Sequence, residues 1–130
     1  MNSDAEPAPR TVLVVDEDLS TALACKSEFE AKGYRVMCTQ SGREALELFA
    51  REKIDVIVSE ILLPDMPGTD LIEAFAARAK RIPIVANTSD VDYRQSFRSW
   101  AADAIFEKSN DLCALFPMVA ALLRSPRFVH

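Results

Sequence analysis

The sequence predicts an α/β fold in which a parallel β-sheet is covered by helices. Five short apolar runs alternate along the chain with stretches of helical period, which is the order of elements in such folds. The runs VLVV, IDVIV and IPIVA are continuous rather than alternating, as expected for strands buried on both faces. The 130 residues, 49% hydrophobic and 27% charged, suit one compact domain with its own core.

Each predicted strand is one of these apolar runs. The five runs are Thr11–Val15, Tyr34–Thr39, Ile54–Ser59, Ile82–Asn87 and Asp103–Glu107. No internal repeat or Gly/Ser-rich linker separates them. We therefore predict a single domain over residues 10–124, with a disordered N-terminal tail over residues 1–9 and a C-terminal tail over residues 125–130.

The first two helices are predicted from side-chain spacing and from their ends. From Leu19 to Lys32 apolar residues recur at helical spacing, and Gly33 can adopt the positive φ of a C-terminal cap. The segment Ser41-Gly-Arg-Glu44 is a capping box that opens the second helix. The residues predicted to face the core are Ala22, Cys25 and Phe29 in the first helix, and Leu46 and Phe49 in the second.

Three further helices are predicted in the second half of the chain. The third follows Pro67-Gly68, and the fourth carries aromatic residues at i, i+4 and i+7. The last runs from Asn110 to about Arg124 and should kink or split at Pro117, which lacks an N–H and clashes with the preceding turn. Predicted core or lid residues are Leu71, Phe75 and Ala79 in the third helix, and Tyr93, Phe97 and Trp100 in the fourth.

Composition argues against several classes of function. The 15 Lys and Arg against 20 Asp and Glu give a formal charge of −5, and no basic stripe is visible that could bind nucleic acid or an anionic membrane. The first ten residues carry two acids and two prolines, unlike a signal peptide. The longest apolar stretch, Cys113–Leu123, is shorter than a membrane span. We expect a cytoplasmic protein with no membrane segment.

The chain also lacks the usual residues of nucleophilic and zinc sites. Cys25, Cys38 and Cys113 are far apart without CxxC spacing, so reduced thiols are expected rather than a disulfide framework or a zinc site. The one histidine, His130, is the C-terminal residue, where a fixed geometry is hard to maintain. Ser-His-Asp or Cys-His catalysis and phosphotransfer through histidine are therefore not expected.

Polar side chains gather where the predicted strands end. The segments are Asp16-Glu17-Asp18 after strand 1, Ser59-Glu60 on strand 3, Asn87-Thr88-Ser89 on strand 4 and Glu107-Lys108 on strand 5. Open parallel sheets bind ligands beyond the carboxyl ends of their strands, near the point where strand order reverses. Carboxylates, a hydroxyl and an ammonium there could hold Mg²⁺ and a phosphoryl group. Asp18 is expected only to cap the first helix.

The order of these motifs resembles the receiver domains of bacterial two-component response regulators. The resemblance covers nearly all of residues 10–124 and is carried by VLVVDED, SGREALELF, DVIVSEILLPDMPG, IPIVANTS and DAIFEKS. It implies a flavodoxin-like (βα)5 three-layer sandwich with strand order 2-1-3-4-5. It also implies a metal site of Asp16, Glu17, Glu60 and the backbone carbonyl of Leu62, with Thr88 as the switch hydroxyl and Lys108 as the contact to the phosphoryl group.

Three residues depart from the pattern of that family. Glu60 stands where the family carries the phosphoacceptor aspartate, and its additional methylene moves the carboxylate outward by roughly 1.5 Å, about one C–C bond. A nucleophile misplaced by ~1 Å can slow a reaction ~10²-fold. Ile105 replaces the aromatic residue that usually reports activation. Ser109 replaces the proline after Lys108, so we expect a trans peptide bond there.

The preferred hypothesis is a stand-alone pseudo-receiver that is not an enzyme and acts by binding a protein. In this hypothesis Glu60 presents its carboxylate to Lys108, Thr88 or a metal and imitates the phosphorylated state, while Mg²⁺ binds weakly or not at all. The expected partner is a histidine kinase or a downstream effector, bound through helix 4, strand 5 and helix 5. A homodimer stays open as an alternative.

Two other functions stay open. In one, the chain is a Mg²⁺-dependent member of a phosphorelay that accepts phosphate at Glu60 or at a neighbour such as Asp65. In the other, VLVVDEDLS is the nucleophile motif of a haloacid-dehalogenase-type phosphatase. That family needs paired acids after its lysine, whereas only Asp111 follows Lys108. A receiver is therefore the favoured interpretation.

Overall fold

The computed structural model describes residues 9–78, 82–88, 102–107 and 112–126. Within these ranges, five parallel strands form one sheet of order β2-β1-β3-β4-β5 with helices on both faces. The strands are β1 (Thr11–Val15), β2 (Arg35–Thr39), β3 (Val56–Glu60), β4 (Ile84–Thr88) and β5 (Ala104–Glu107). The helices are α1 (Leu19–Ala31), α2 (Gly42–Arg51), α3 (Gly68–Arg78) and the C-terminal helix (Leu115–Arg124). The predicted fold class and strand order are confirmed.

The sheet separates two apolar cores, because side chains alternate between its faces. The first core lies under α1 and the C-terminal helix, and Phe29 of α1 is fully buried in it. The ring of Phe29 makes edge-to-face contacts with Tyr34 and Phe116, at centroid distances of 5.3 and 4.6 Å. The second core lies under α2 and α3 and includes Leu13, Ala45, Ile57, Leu71, Ile72 and Phe75.

Two aspartates lock neighbouring strands together at the amino edge of the sheet, where the strands begin. The Asp55 carboxylate accepts the N–H of Thr11 at 2.7 Å, and the Asp55 N–H donates to the Thr11 carbonyl at 2.9 Å. Asp103 forms the same two hydrogen bonds with Ile84, each 2.8 Å long. Each aspartate directly precedes a strand and pairs with the first residue of the adjacent one. These reciprocal bonds satisfy backbone groups that would otherwise begin the strands without partners.

The ends of α1 agree with the prediction. Asp18 is the N-cap, and its carboxylate accepts the N–H groups of Ser20 and Thr21 at 3.0 and 3.3 Å. After the helix, Gly33 has a φ of 94°, the left-handed conformation that favours glycine. The chain can therefore turn directly from α1 into β2.

Helix α2 begins as predicted but buries different residues. Ser41 is its N-cap and accepts the Glu44 N–H at 3.2 Å. Ala45 is fully buried, whereas Leu46 and Phe49 are only partly buried at the edge of the second core. The prediction that α2 buries Leu46 and Phe49 therefore holds only in part. Both side chains contact the second core, but neither is fully buried. The buried positions of α2 are taken by two small residues, Gly42 and Ala45.

The predicted kink at Pro117 was wrong. A 3₁₀ turn, Leu112–Ala114, comes first, and the regular C-terminal helix begins only at Leu115. Pro117 thus lies in the first helical turn, where backbone N–H groups have no partner inside the helix and a proline costs little. Of the other predictions on helices, Ala79, Tyr93, Phe97 and Trp100 lie outside the described residues.

Two predictions about composition can be compared with the structure. All three cysteines are described and none forms a disulfide, as expected. Cys38 is half-buried, and burial raises the pKa of its thiol. Among the described helices, none is both long and apolar enough to span a membrane.

Candidate functional site

Polar residues end three adjacent strands at the carboxyl edge of the sheet. Asp16 follows β1 and is 1% exposed, Glu60 ends β3 and is 5% exposed, and Thr88 ends β4 and is fully buried. Since β1, β3 and β4 are neighbours in the sheet, these three residues of the prediction lie at one edge. Lys108, which the prediction placed with them, is outside the described residues.

The carboxylate of Glu60 is turned onto its own loop. Its Oε2 atom accepts the backbone N–H of Ile61 and, at 3.1 Å, that of Leu62. Two amide donors on one carboxylate oxygen form charge-assisted hydrogen bonds, which are the stronger kind. A carboxylate that is 5% exposed needs such partners, because burying a charge without them is costly. The local backbone therefore holds the Glu60 side chain in place.

The loop after Glu60 is closed by Gly68, the first residue of α3. The Gly68 N–H donates to the Ile61 carbonyl at 2.7 Å, and Leu62 forms an antiparallel bridge with Pro67. A Cβ at position 68 would collide with the Cα and carbonyl oxygen of Ile61. Only glycine permits this approach of α3 to the Glu60 loop.

Asp65 ties the same loop to α2. Its two carboxylate oxygens accept the N–H groups of Gly42 and Arg43, each at 2.9 Å. These groups belong to the first turn of α2, where N–H groups lack partners within the helix and the helix dipole favours an anion. The Gly42 N–H, followed by that of Arg43, holds the pKa of Asp65 below its ordinary 3.8. Asp65 thus fixes the loop, a role that the sequence analysis did not identify.

Asp65→Asn is expected to destabilise the protein at about pH 7 and to leave it nearly unchanged at about pH 2. Because the folded pKa is depressed, the stabilisation is complete above the unfolded pKa and is lost as the pH falls through the folded value. Urea-unfolding midpoints of both proteins at the two pH values measure the effect. Glu28→Gln, which removes an exposed carboxylate from α1, controls for net charge. An equal difference in midpoint at both pH values would contradict the prediction.

The predicted metal ligands Asp16, Glu17 and Glu60 each take part in a hydrogen bond near the carboxyl edge of the sheet. Asp16 Oδ1 accepts the Asp18 N–H at 2.9 Å, and Glu17 is exposed, with its carbonyl accepting from Gln40 at 3.1 Å. Glu60 is engaged by its loop, as described above. Within the ranges that the structure covers, no three His, Cys, Asp or Glu residues lie close enough to hold a metal ion. The predicted set of Asp16, Glu17, Glu60 and the Leu62 carbonyl includes a backbone oxygen, which that criterion does not count, so Mg²⁺ binding there stays a prediction.

Thr88 and Ile105 belong to the face of the sheet that carries α2 and α3. Ile105 packs against the second core and pairs in register with Ala86, whereas Thr88 pairs with Glu107. Strand alternation therefore puts Thr88 and Ile105 on one face and Glu60, which follows Val56 and Val58, on the other. Ile105 is partly buried and aliphatic, so position 105 has no aromatic ring whose rotation could signal a change of state.

Asn87 is a feature whose role the sequence analysis missed. It is 4% exposed, stands in β4 beside Glu60 in register, and its Oδ1 has no hydrogen-bond partner among the described residues. An amide oxygen buried in this way costs about 1–3 kcal/mol. The signal was present in the sequence, because IPIVANTS places an asparagine inside a run otherwise typical of a buried strand.

Comparison with known sequences finds one family. A model described as the response regulator receiver domain matches residues 12–120. Response regulator MprA of Mycolicibacterium vanbaalenii is 30% identical over 118 residues, which cover 89% of this chain and 51% of MprA. Response regulator SaeR of Staphylococcus aureus is 32% identical over 78 residues, which cover 60% of this chain and 34% of SaeR. The chain thus spans about half, or less, of the length of these relatives.

Solved structures show the same architecture. TrrA from Thermotoga maritima, solved in complex with Mg²⁺-BeF, gives a TM-score of 0.81 at 28% identity, covering 87% of this chain and 98% of TrrA. A two-component response regulator from Clostridium difficile gives 0.82 at 26% identity, covering 88% of this chain and 96% of the other. CheY4 of Vibrio cholerae gives 0.80 at 24% identity, with 88% and 98% covered, and supports the fold alone.

Proposed function

This chain belongs to the response regulator receiver domain family, and from that premise we propose that it is an atypical receiver that is not phosphorylated at position 60. Glu60 there acts as a permanent substitute for the phosphorylated residue. The chain then signals by binding another protein in a two-component pathway and catalyses no reaction of its own. The observation that carries this proposal is the position of the Glu60 carboxylate, buried and bound by the amides of its own loop.

Phosphoryl transfer to Glu60 would require its oxygen to approach phosphorus in line. Oε2 instead accepts two backbone N–H groups, and the additional methylene of glutamate displaces the carboxylate by about one C–C bond relative to aspartate. Since near-attack geometry governs such reactions, both features disfavour attack by this side chain. The same features give a fixed negative charge at the edge of the sheet.

The charge of Glu60 is proposed to act directly on Lys108, which comes directly after β5 in the sequence. Thr88, buried at the end of β4 on the other face of the sheet, is proposed to respond through the strand rather than by direct contact. An ammonium group paired with Glu60 would offset the cost of burying a carboxylate. Because Ile105 is not aromatic, any response at β5 would have to proceed without the rotation of a ring.

The proposed partner is a histidine kinase or a downstream effector. The binding face would combine β5 and the C-terminal helix with residues of the fourth predicted helix, which lie outside the described ranges. On the described part of this face Pro117 is exposed in the first turn of the C-terminal helix. We further propose a cytoplasmic location, in keeping with such partners.

The second candidate function is a Mg²⁺-dependent phosphorelay. TrrA, which was solved in complex with Mg²⁺-BeF, is 28% identical to this chain, and this similarity supports Mg²⁺-dependent phosphorylation as the alternative. Asp65 is an unsuitable acceptor, since both of its carboxylate oxygens bind the first turn of α2. The phosphatase alternative is set aside because the family shown is that of receivers.

Intact mass spectrometry after incubation with acetyl phosphate and Mg²⁺ tests the proposal. We expect no added phosphoryl group on the natural chain and one added group on Glu60→Asp, whose shorter side chain restores the reach of the acceptor. Glu60→Gln is the matched control, because it keeps the length of glutamate without a nucleophilic carboxylate.

Each outcome of that experiment is decisive. A phosphoryl group on the natural chain that Glu60→Gln abolishes would establish the phosphorelay and overturn the proposal. One that persists in Glu60→Gln but disappears in Asp65→Asn would place the acceptor at Asp65. If Glu60→Asp gains no phosphoryl group, the single methylene is not what prevents the reaction.

A further inference from the structure

A cleft of about 310 Å³ lies between α1 and the carboxyl edge of the sheet. It is on the face of the sheet that carries α1 and the C-terminal helix. Its lining comes from α1, from two adjacent strands and from the 3₁₀ turn, and includes Ser20, Thr21, Ala24, Cys25, Asn87, Phe106 and Leu112. A volume of ~310 Å³ is at the lower end of the range for small-molecule sites. The cleft is therefore large enough for a compact organic ligand.

The carboxamide of Asn87 gives this cleft a polar group that a ligand could bind. Asn87 lines the cleft and is nine-tenths buried, yet within the described ranges its Oδ1 accepts no hydrogen bond. The preceding residue of β4 on the same face, Val85, is apolar and belongs to the first core. A buried acceptor in such surroundings destabilises the free protein unless a donor reaches it. No described residue donates to this oxygen, so a ligand seated in the cleft could supply the donor.

The remaining lining groups define the chemistry of that donor. The hydroxyls of Ser20 and Thr21 are at the rim and can accept hydrogen bonds, while Phe106 and Leu112 offer an apolar wall. An amide oxygen and two hydroxyl oxygens next to an aromatic ring favour an ammonium group carrying a short apolar body.

We propose that this cleft binds a small primary amine, with its ammonium group near Asn87 and its apolar part against Phe106 and Leu112. The site would give the receiver an input other than phosphate. Amine binding at this cleft is the same whether or not the chain is phosphorylated. The proposal therefore does not depend on the function proposed above. Its size limits the ligand to about ten non-hydrogen atoms.

Phenethylamine is a suitable probe, with 2-phenylethanol as its uncharged counterpart of the same shape. In ¹H–¹⁵N spectra of the full chain, phenethylamine should cause saturable shifts in the signals of Ser20, Thr21 and the Asn87 side-chain amide. We expect 2-phenylethanol to bind about tenfold more weakly, since it lacks the charge. Absence of saturable shifts with the amine, or equal affinity for the alcohol, would overturn the proposal.

Two variants locate the binding. Ala24→Leu places a larger side chain in the cleft from an exposed position of α1 and should weaken the amine about tenfold. Ala31→Leu makes the same change at the exposed end of α1, outside the cleft lining, and should leave affinity unchanged. Equal affinities in Ala24→Leu and the natural chain would exclude this cleft.

Asn87→Val separates binding from folding. It removes the carboxamide, so we expect amine affinity to fall about tenfold. It also replaces a buried acceptor that lacks a donor by an apolar group, so the urea midpoint should rise. Undiminished affinity in this variant would show that Asn87 plays no part in recognition and would overturn the proposal.

Discussion

Gly68→Ala is expected to lower the free energy of unfolding by about 2–3 kcal/mol. The added Cβ would collide with the Cα and carbonyl oxygen of Ile61 and would lie 2.7 Å from the carbonyl oxygen of Glu60. These are backbone atoms, so no side chain can rotate to make room. Either α3 or the Glu60 loop must move, and the 2.7 Å hydrogen bond from Gly68 to Ile61 is strained or lost. Urea unfolding followed by circular dichroism measures the change.

Gly42→Ala is the matched control for this prediction. Gly42 is likewise the first residue of a helix, but a Cβ there would meet only the side chain of Met66, at 2.7 Å from its Cγ and Sδ. Because methionine is flexible and can adopt another rotamer, we expect a loss below about 1 kcal/mol. Similar losses of stability in both variants would show that contact with the backbone of the Glu60 loop is not the reason why position 68 needs glycine.

Phe29→Ala should have the largest effect on stability, a loss of about 3–5 kcal/mol. Phe29 is fully buried in the first core, and its ring packs edge-to-face on both Tyr34 and Phe116. Alanine would leave a cavity between α1 and the C-terminal helix and remove both aromatic contacts. Since domains of this kind are stable by only about 5–15 kcal/mol, a large part of the total would be lost.

The control for Phe29 lies on the same helix. Leu23 is 49% exposed, and Leu23→Ala should cost less than about 1 kcal/mol because little apolar surface leaves the core. Equilibrium urea unfolding of both variants gives the comparison. A loss for Phe29→Ala no larger than that for Leu23→Ala would contradict the assignment of Phe29 to the centre of the first core.

The strands β1, β3 and β4 could be predicted because their apolar runs are continuous, as expected for parallel strands buried on both faces. The order of strands followed from the resemblance to receivers. The placement of Asp16, Glu60 and Thr88 at the same edge of the sheet followed from topology, since parallel strands end on the same side. These predictions depend on hydrophobic periodicity and on chain connectivity, and both can be read from the sequence.

The missed features depend on contacts between distant residues. Asp65 has the local sequence of a loop acid, and only the fold brings it to the first turn of α2, 23 residues away in the chain. The effect of Pro117 was misjudged because the sequence pattern does not show that the regular helix begins just before it. The turning of the Glu60 carboxylate onto the amides of Ile61 and Leu62 depends on rotamers, which composition does not specify.

The reciprocal hydrogen bonds of Asp55 and Asp103 have a consequence for how this protein can evolve. They set the alignment of β1 with β3 and of β4 with β5 at the end of the sheet remote from Glu60. A slip of one residue would break them and move each side chain of the slipped strand from one apolar core to the other. Because alignment is secured there, a change of side chain at the opposite end, such as at Glu60, would leave the strand register intact.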